Sequence, residues 1–512
     1  MSANAGNPSR FSWAFPDLGL AVSILTLVYC LWVYDGGVRL FRDSDTGWHI
    51  RTGERILAGE GFPRTDPYSF SRAGEPWFAW EWASDVALGL AHRCAGLPGV
   101  ALLSALTIAA SVWLWFRLHW AAGGNFLFAC LLASPMLSTT NLHWLARPHI
   151  LGWGLLLGAV LYLESWASRG RLRRHAPATV LFGAVWANLH ASFFLGPMVV
   201  WTYAAGHLLR PLLWDLDRSA EWRQARRLAG LGLLAAAGSF LNPYGWQLHS
   251  HLGRYLGNFE LLQRVAEFQS FNFHAPGAGQ ILAGLGVAAA GGVLALAQKK
   301  LAHALLAAVF LILALRSARG LPVAVLVLLP LANGALTEAL RSWRDLRPAL
   351  RRRLDAFLAY SDRLRLLDRS MQGWATVPIV LALAVAWSLT PAAAARSGFP
   401  PEEFPVAAAA AVERLPAGAR LLAPDKFGGY LIYRFDGRRK VFFDGRSDFY
   451  GSDFMKRYVR LVEVRPGWRE QVEAWKFTHA LLPPDYSLRA ALEQAGWRRL
   501  YQDRAAVLLE RN

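Results

Sequence analysis

The recurrence of long apolar runs most constrains what this chain can fold into. Eleven stand out, near residues 17–34, 98–116, 125–139, 150–167, 177–191, 193–210, 228–242, 280–297, 301–315, 321–337 and 374–393. A helix gains 1.5 Å per residue and the hydrocarbon core of a bilayer is about 30 Å thick, so runs of about 20 residues read as membrane-crossing helices. With 54% hydrophobic and 18% charged residues over 512 positions, the chain holds more apolar surface than one globular core could hide. The first run ends in "WVYDGG" without a small-residue cleavage site, which reads as an uncleaved anchor. The fold class expected is a polytopic α-helical membrane protein of about eleven spans.

A net charge of +18 could suggest a nucleic-acid partner. Its Arg clusters, however, lie between apolar runs, with no recognition helix or aromatic reader motif, so nucleic acid is not expected. Cys30, Cys94 and Cys130 are scattered and suggest neither a disulfide framework nor a metal knuckle. Short basic loops stay cytoplasmic. An inside N-terminus puts "SRGRLRRH", "DLDRSAEWRQARR", "QKK" and the long "RSWRDLRPALRRRLDAFLAYSDRLRLLDR" on the cytoplasmic side. The last of these is basic with apolar residues at helical spacing, which suits a helix lying on an anionic leaflet.

Two regions follow from composition: a multispan region, 1–395, whose first outer loop is 35–97, and a C-terminal soluble region, 396–512, on the outer side. In the second, "ARLLAP", "KVFFDGR", "THALLPP" and "RAAVLLER" read as short strands. "VAAAAAVERL", "DFMKRYVRLV" and "SLRAALEQAG" read as helices, giving a small α/β domain.

The charge partition gathers the unusual polar residues on the outer face. Asp43 and Asp45, with Arg42, His49, Arg51 and Arg55, fall within fourteen residues just past the first span. Either acid could cap the short helix that follows. Together they could also take a proton from a hydroxyl while neighbouring guanidinium groups hold a phosphate. Next comes "PWFAWEWASD": Trp77, Phe78, Trp80 and Trp82 read as an interfacial aromatic belt, or as faces for sugar rings, and Glu81 and Asp85 share one helical face. Arg147, His149, Asn188, His190, Asn242, Arg316 and Arg319 all stand at outer span ends. Ionisable groups at that depth are costly, so their convergence argues for a polar cavity. Asp444, Arg446 and Asp448 in "FFDGRSDFYG" read as a turn with buried salt bridges joining the last region to the outer loops, or as a surface that binds glycan or a partner protein. Hydrolase elbows, phosphate loops, zinc-protease helices and dinucleotide fingerprints are absent from the sequence.

The layout resembles the GT-C superfamily of membrane glycosyltransferases: one span, a long outer loop opening on an acidic motif, further spans, and often an outer soluble domain. "DTGWHIRTGERILAGEGFPRTDP" is similar to that acidic motif with Asp45 leading, and Thr46 stands where many members have Glu. "DSDTGWHI", "DPYSFS", "PWFAWEW", "RPH", "NLHASF", "NPYG" and "FFDGRSDFYG" together resemble a bacterial group of GT-C-like multispan proteins. The resemblance implies inverting transfer of a sugar from a polyprenyl-phosphate donor at the bacterial inner membrane. The acceptor would be an extracytoplasmic glycan, lipid or protein. Asp45 or Asp43 would be the catalytic base, and Arg147 with Arg316 or Arg319 would neutralise the phosphate. Arg42, His49, Arg51, Glu81, Asp85, His149 and His190 are the further substrate-binding candidates. The resemblance allows a divalent metal, though no ligand set in the sequence requires one. Two other classes remain: a transporter or flippase of a lipid-linked or anionic solute, and a non-catalytic envelope scaffold that binds glycan. An odd span number without inverted repeats speaks against the first.

Overall fold

The computed structural model describes residues 12–165 and 172–512, with side chains from 174 in the second stretch. Residues 168–171 of the basic loop "SRGRLRRH" lie outside the described residues. All eleven apolar runs fall on helices. The first is α1 (Leu18–Trp32), whose start is capped by the Asp17 carboxylate accepting from the Leu20 N–H at 2.8 Å. By length and hydropathy, four helices among the described residues could each cross a membrane: Trp82–Ala121, Ala191–Leu213, Ala278–Ala297 and Gly320–Ser342. Four more, α1, His149–Ser165, Leu301–Arg316 and Thr376–Ser388, are apolar but shorter. The run at 228–242 is only the apolar half of Arg218–Gly238, a helix that begins in the basic block preceding it.

Two elements position the outer polar residues. Helix α2 (Asp45–Arg55) follows α1 after a short 3₁₀ turn, and α3 (Trp82–Ala121) kinks at Ala95 and Gly96, so its first part forms a separate arm. Helix α2 is enclosed by protein, with Ile50 fully buried. It is wedged between the α3 arm and the helix Asp425–Phe435. Glycines make this possible: a Cβ on Gly53 would lie 1.8 Å from the Asp85 carbonyl oxygen, and one on Gly47 2.1 Å from that of Gly429. Each glycine costs about 1 kcal/mol of helix propensity, which the backbone-to-backbone packing on both sides offsets.

After Arg396, four strands form one sheet in the order β1-β2-β4-β3: β1 Leu421–Leu422, β2 His479–Leu482, β3 Arg498–Gln502 and β4 Val507–Glu510. β1 and β2 run parallel, and the other pairs are antiparallel. "KVFFDGR" is not a strand of this sheet. Val441 makes a single bridge to Ser69 of the first outer loop, and the stretch then turns at Asp444, so its Phe pair serves packing and not sheet pairing. The helices Asp425–Phe435 and Trp468–Trp475, and strand β3, had no distinct signal in the sequence reading.

Candidate active site

The site begins where α2 begins. The Asp43 carboxylate accepts from the Asp45 backbone N–H at 2.9 Å, so Asp43 does the capping and leaves the Asp45 side chain free of that duty. Both acids then meet Arg147, which stands in the turn before helix His149–Ser165. Its Nη1 lies 2.6 Å from Asp43 Oδ2 and its Nη2 2.9 Å from Asp45 Oδ2. The same guanidinium reaches Glu267 Oε1 at 3.1 Å, and Glu267 pairs in turn with Arg319. Three carboxylates and two guanidiniums thus form one chain, drawn from four separated stretches of sequence.

The Thr46 hydroxyl donates to the Ala146 carbonyl at 3.0 Å, fixing the backbone beside Arg147 against the start of α2. Burial pushes Asp45 up to about 7; Arg147 pulls against this, while Asp43, Glu267 and Asp444 add to it. Burial would also raise Glu267, but Arg319 and Arg147 outweigh it and hold that carboxyl well below its ordinary range. Arg147 is half-buried, and its Nε has no hydrogen-bond partner among the described residues.

A second wall comes from the α3 arm. His49, one turn past Asp45 on α2, sits 2.5 Å from Asp85 through Nδ1, and the other Asp85 oxygen has no hydrogen-bond partner among the described residues. Burial and the nearby Arg147 keep the His49 imidazole neutral. Glu81, one turn before Asp85, accepts from the Ala191 N–H at 3.2 Å and lies 3.4 Å from His190 Nε2; burial pushes it up to about 7. Burial, reinforced by Arg319 and Arg147, lowers His190 to about 3. His149 donates through Nε2 to the His143 carbonyl at 2.8 Å, which fixes its ring beside Arg147.

The structure therefore brings together Asp43, Asp45, Arg147 and Arg319, and places His49, Asp85, Glu81, His190 and His149 around them. Three candidates stay apart. Arg42 and Arg316 are exposed, and among the described residues neither forms an ion pair. Arg51 is anchored elsewhere: its guanidinium donates to the Tyr433 carbonyl at 2.9 and 2.8 Å, lies over that ring, and pairs with Glu54 at 2.5 Å. The aromatic belt is also corrected. Trp77 is buried with Arg446 4.7 Å from its ring centre, Phe78 and Trp80 pack on His251, and Trp82 donates to Asn188 at 2.6 Å, so these rings build the loop's interior.

Glu267 was missed by sequence reasoning. It is one of two acids in the stretch 243–279, and that scarcity was the available signal. Also missed was His251, whose Nε2 lies 2.9 Å from Asp448. The turn expected at Asp444–Asp448 is present: Arg446 is buried between Asp444, at 2.7 Å, and Asp66 of the first outer loop, at 2.9 Å. Among the described residues no three His, Cys, Asp or Glu side chains converge as a metal-holding group. The acids nearest that description, Asp43, Asp45 and Glu267, are gathered on the Arg147 guanidinium.

No family model and no curated protein matches this sequence. Among solved structures the chain is similar to the archaeal oligosaccharyltransferase AglB from Archaeoglobus fulgidus in complex with an inhibitory peptide and a dolichol-phosphate. The two are 12% identical, with 91% of this chain and 69% of that chain covered and a TM-score of 0.51. It is also similar to ArnT from Cupriavidus metallidurans in the apo state, at 14% identity, 96% and 97% coverage and a TM-score of 0.50. A third likeness is to the Archaeoglobus fulgidus oligosaccharyltransferase complex with Zn and sulfate, at 11% identity, 91% and 68% coverage and a TM-score of 0.50.

Proposed function

We propose that this chain, which has the fold of the GT-C membrane glycosyltransferases, moves a sugar from a polyprenyl-phosphate carrier to an acceptor hydroxyl on the outer side of the bacterial inner membrane. The carrying observation is the ion-pair chain Asp43–Arg147–Asp45, with Asp45 buried and the rest half-buried, extended through Glu267 to Arg319. The dolichol-phosphate in the AglB complex supports a lipid-phosphate donor.

In this reading Asp45 is the base. It is held near neutrality, where a general base combines an adequate ionised fraction with real proton affinity. Asp43 is committed to the α2 N-terminus and to Arg147, and acts by fixing both. As the acceptor oxygen bonds to the anomeric carbon, its proton passes to an Asp45 oxygen. The bond from that carbon to the phosphate oxygen breaks, and its electron pair leaves with the polyprenyl phosphate. Attack opposite the leaving group inverts the centre. Arg147 and Arg319 meet the phosphate charge, and protonation of Asp45 loosens its hold on Arg147 as that charge develops. Arg319, and not Arg316, takes this role because only Arg319 belongs to the network. The reaction needs Asp45 ionised, so its rate should rise with pH through about 7 and level above.

The test is purified protein in lipid nanodiscs with a panel of undecaprenyl-phosphate sugars, following release of undecaprenyl phosphate. The expected result is release with at least one donor, slowed about 10²–10⁴-fold by Asp45→Asn. Parental release rates in folded Asp45→Asn protein would refute Asp45 as base. No release from any donor, with or without a hydroxyl acceptor, would refute the transferase reading.

A further inference from the structure

Gly445 is a glycine whose need for lacking a side chain comes from one neighbour. Its backbone is not left-handed, so alanine could adopt the same conformation. A Cβ built there would nevertheless fall 1.9 Å from Asp45 Oδ1 and 3.0 Å from Oδ2. At 1.9 Å something must shift, so a side chain there would push the Asp45 carboxylate out of its place. The turn itself is rigidly held. Asp444 is fully buried and accepts from the Arg446 N–H at 3.1 Å, from Arg446 Nε at 2.7 Å and from the Tyr450 hydroxyl at 2.9 Å. Arg446 continues to Asp66 of the first outer loop at 2.9 Å, with its guanidinium 4.7 Å from the Trp77 ring centre and 5.2 Å from that of Tyr68. Close by, a Cβ on Gly429 would lie 2.1 Å from the Ser44 carbonyl oxygen, which presses the same C-terminal region onto the start of α2.

We propose that the Asp444–Gly445–Arg446 turn is a positioning device for the site: its glycine backbone forms the wall that holds the Asp45 carboxylate in place against Arg147 and shields it from water. The C-terminal region would then complete the catalytic centre, so that the orientation of the base depends on residues four hundred positions away. The ion pairs Arg446–Asp444 and Arg446–Asp66 hold the wall still. The kinetic arm of this inference rests on the transferase reading; the stability arm does not.

The experiment is a double-substitution cycle between Gly445→Ala and Asp45 variants, with Gly418→Ala as control, since a Cβ there meets nothing within 4 Å. Thermal unfolding in nanodiscs is measured first. Gly445→Ala should lower Tm, and adding Asp45→Ala, which removes the obstructing carboxylate, should restore most of the loss. If Gly445→Ala alone does not fold, recovery of folded protein in the double variant is the same reading. An equal Tm loss in both backgrounds would overturn the contact. Kinetically, a displacement of about 1 Å in the base should lower kcat about 10²-fold with KM for the donor little changed. In an Asp45→Asn background, Gly445→Ala should cost less than about threefold more, because the residue it acts through is already disabled. Multiplicative losses in that background, or a full parental kcat in Gly445→Ala, would overturn the positioning role. If no donor turns over at all, the transferase reading fails while the Tm cycle still decides the contact.

Discussion

Replacing Asp45 by Asn should disable the protein and stabilise it, and the size of the second effect follows from the site. Asp45 is 7% exposed, and burial, only partly offset by Arg147, pushes its carboxyl up to about 7. In the unfolded chain the same group titrates near ~4. Because the folded value is the higher one, stability contributed by this group is full below about pH 4 and is lost as pH rises from there through about 7. Once ionised, the folded site carries about 4 kcal/mol that the protonated site does not, since each pH unit between the two values is worth about 1.4 kcal/mol. Asn has the shape of the protonated carboxyl, can still accept from Arg147, and cannot ionise. The stability of Asp45→Asn relative to the parent, followed by Tm, should therefore differ by about 1 kcal/mol or less at pH 4.5 and rise toward pH 8.5, with about 4 kcal/mol as an upper limit. The assay is thermal unfolding in nanodiscs across that pH range, alongside donor turnover. Parallel pH curves for the two proteins, or an Asn variant less stable throughout, would refute the account of Asp45 as a strained buried base.

Two further outcomes are expected. Arg147→Gln leaves Asp43, Asp45 and Glu267 without their shared cation and should cost about 3–5 kcal/mol at neutral pH; the loss should shrink as pH falls and partly recover in Arg147→Gln/Asp43→Asn, measured by Tm. Arg319→Gln should raise the donor KM by about tenfold through loss of one charge-assisted contact, whereas Arg316→Gln, at an exposed position outside the network, should change turnover by less than about twofold, both read in the release assay.

The sequence carried more of the topology than of the site. Each apolar run marked a helix, because lipid and core burial both demand the same long apolar stretches. Charge in the connecting loops drew attention to span ends, where Arg147 and Arg319 join the network and Arg316 does not. Helix ends and kinks were less legible: the basic half of Arg218–Gly238 looks like a loop until the helix is seen to run through it. Asp43, Asp45 and Arg147 were visible because acid and arginine at a span end are expensive. Glu267 was not, because its role depends on a fold that brings an outer stretch 120 residues beyond Arg147 onto the same guanidinium. Arg42 and Arg51 are on the same short segment as Asp43 and Asp45, yet one is exposed and the other serves Tyr433. Along a helix, proximity in sequence spreads side chains around every face, so the crowding that marked this segment could not say which residues converge.

Thr46 was the apparent departure from an acidic pair, and the structure gives that position a different task. Its side chain is fully buried and donates to the Ala146 carbonyl, next to Arg147. A carboxylate there would have faced a carbonyl oxygen, with no proton to share at neutral pH and no room for water. The second acid of the site is instead Asp43, two residues before Asp45, which reaches Arg147 from the other side of the α2 N-terminus. A hydroxyl that fixes the cation's backbone and a carboxylate that fixes its head divide between them the work of holding Arg147. That division explains how Asp45 can remain only partly neutralised: Arg147 is shared with Asp43 and Glu267, so its pull on Asp45 is too weak to overcome burial. An acid at position 46 would add another claimant to the same cation and raise Asp45 further, beyond the range in which it could serve as a base near neutral pH.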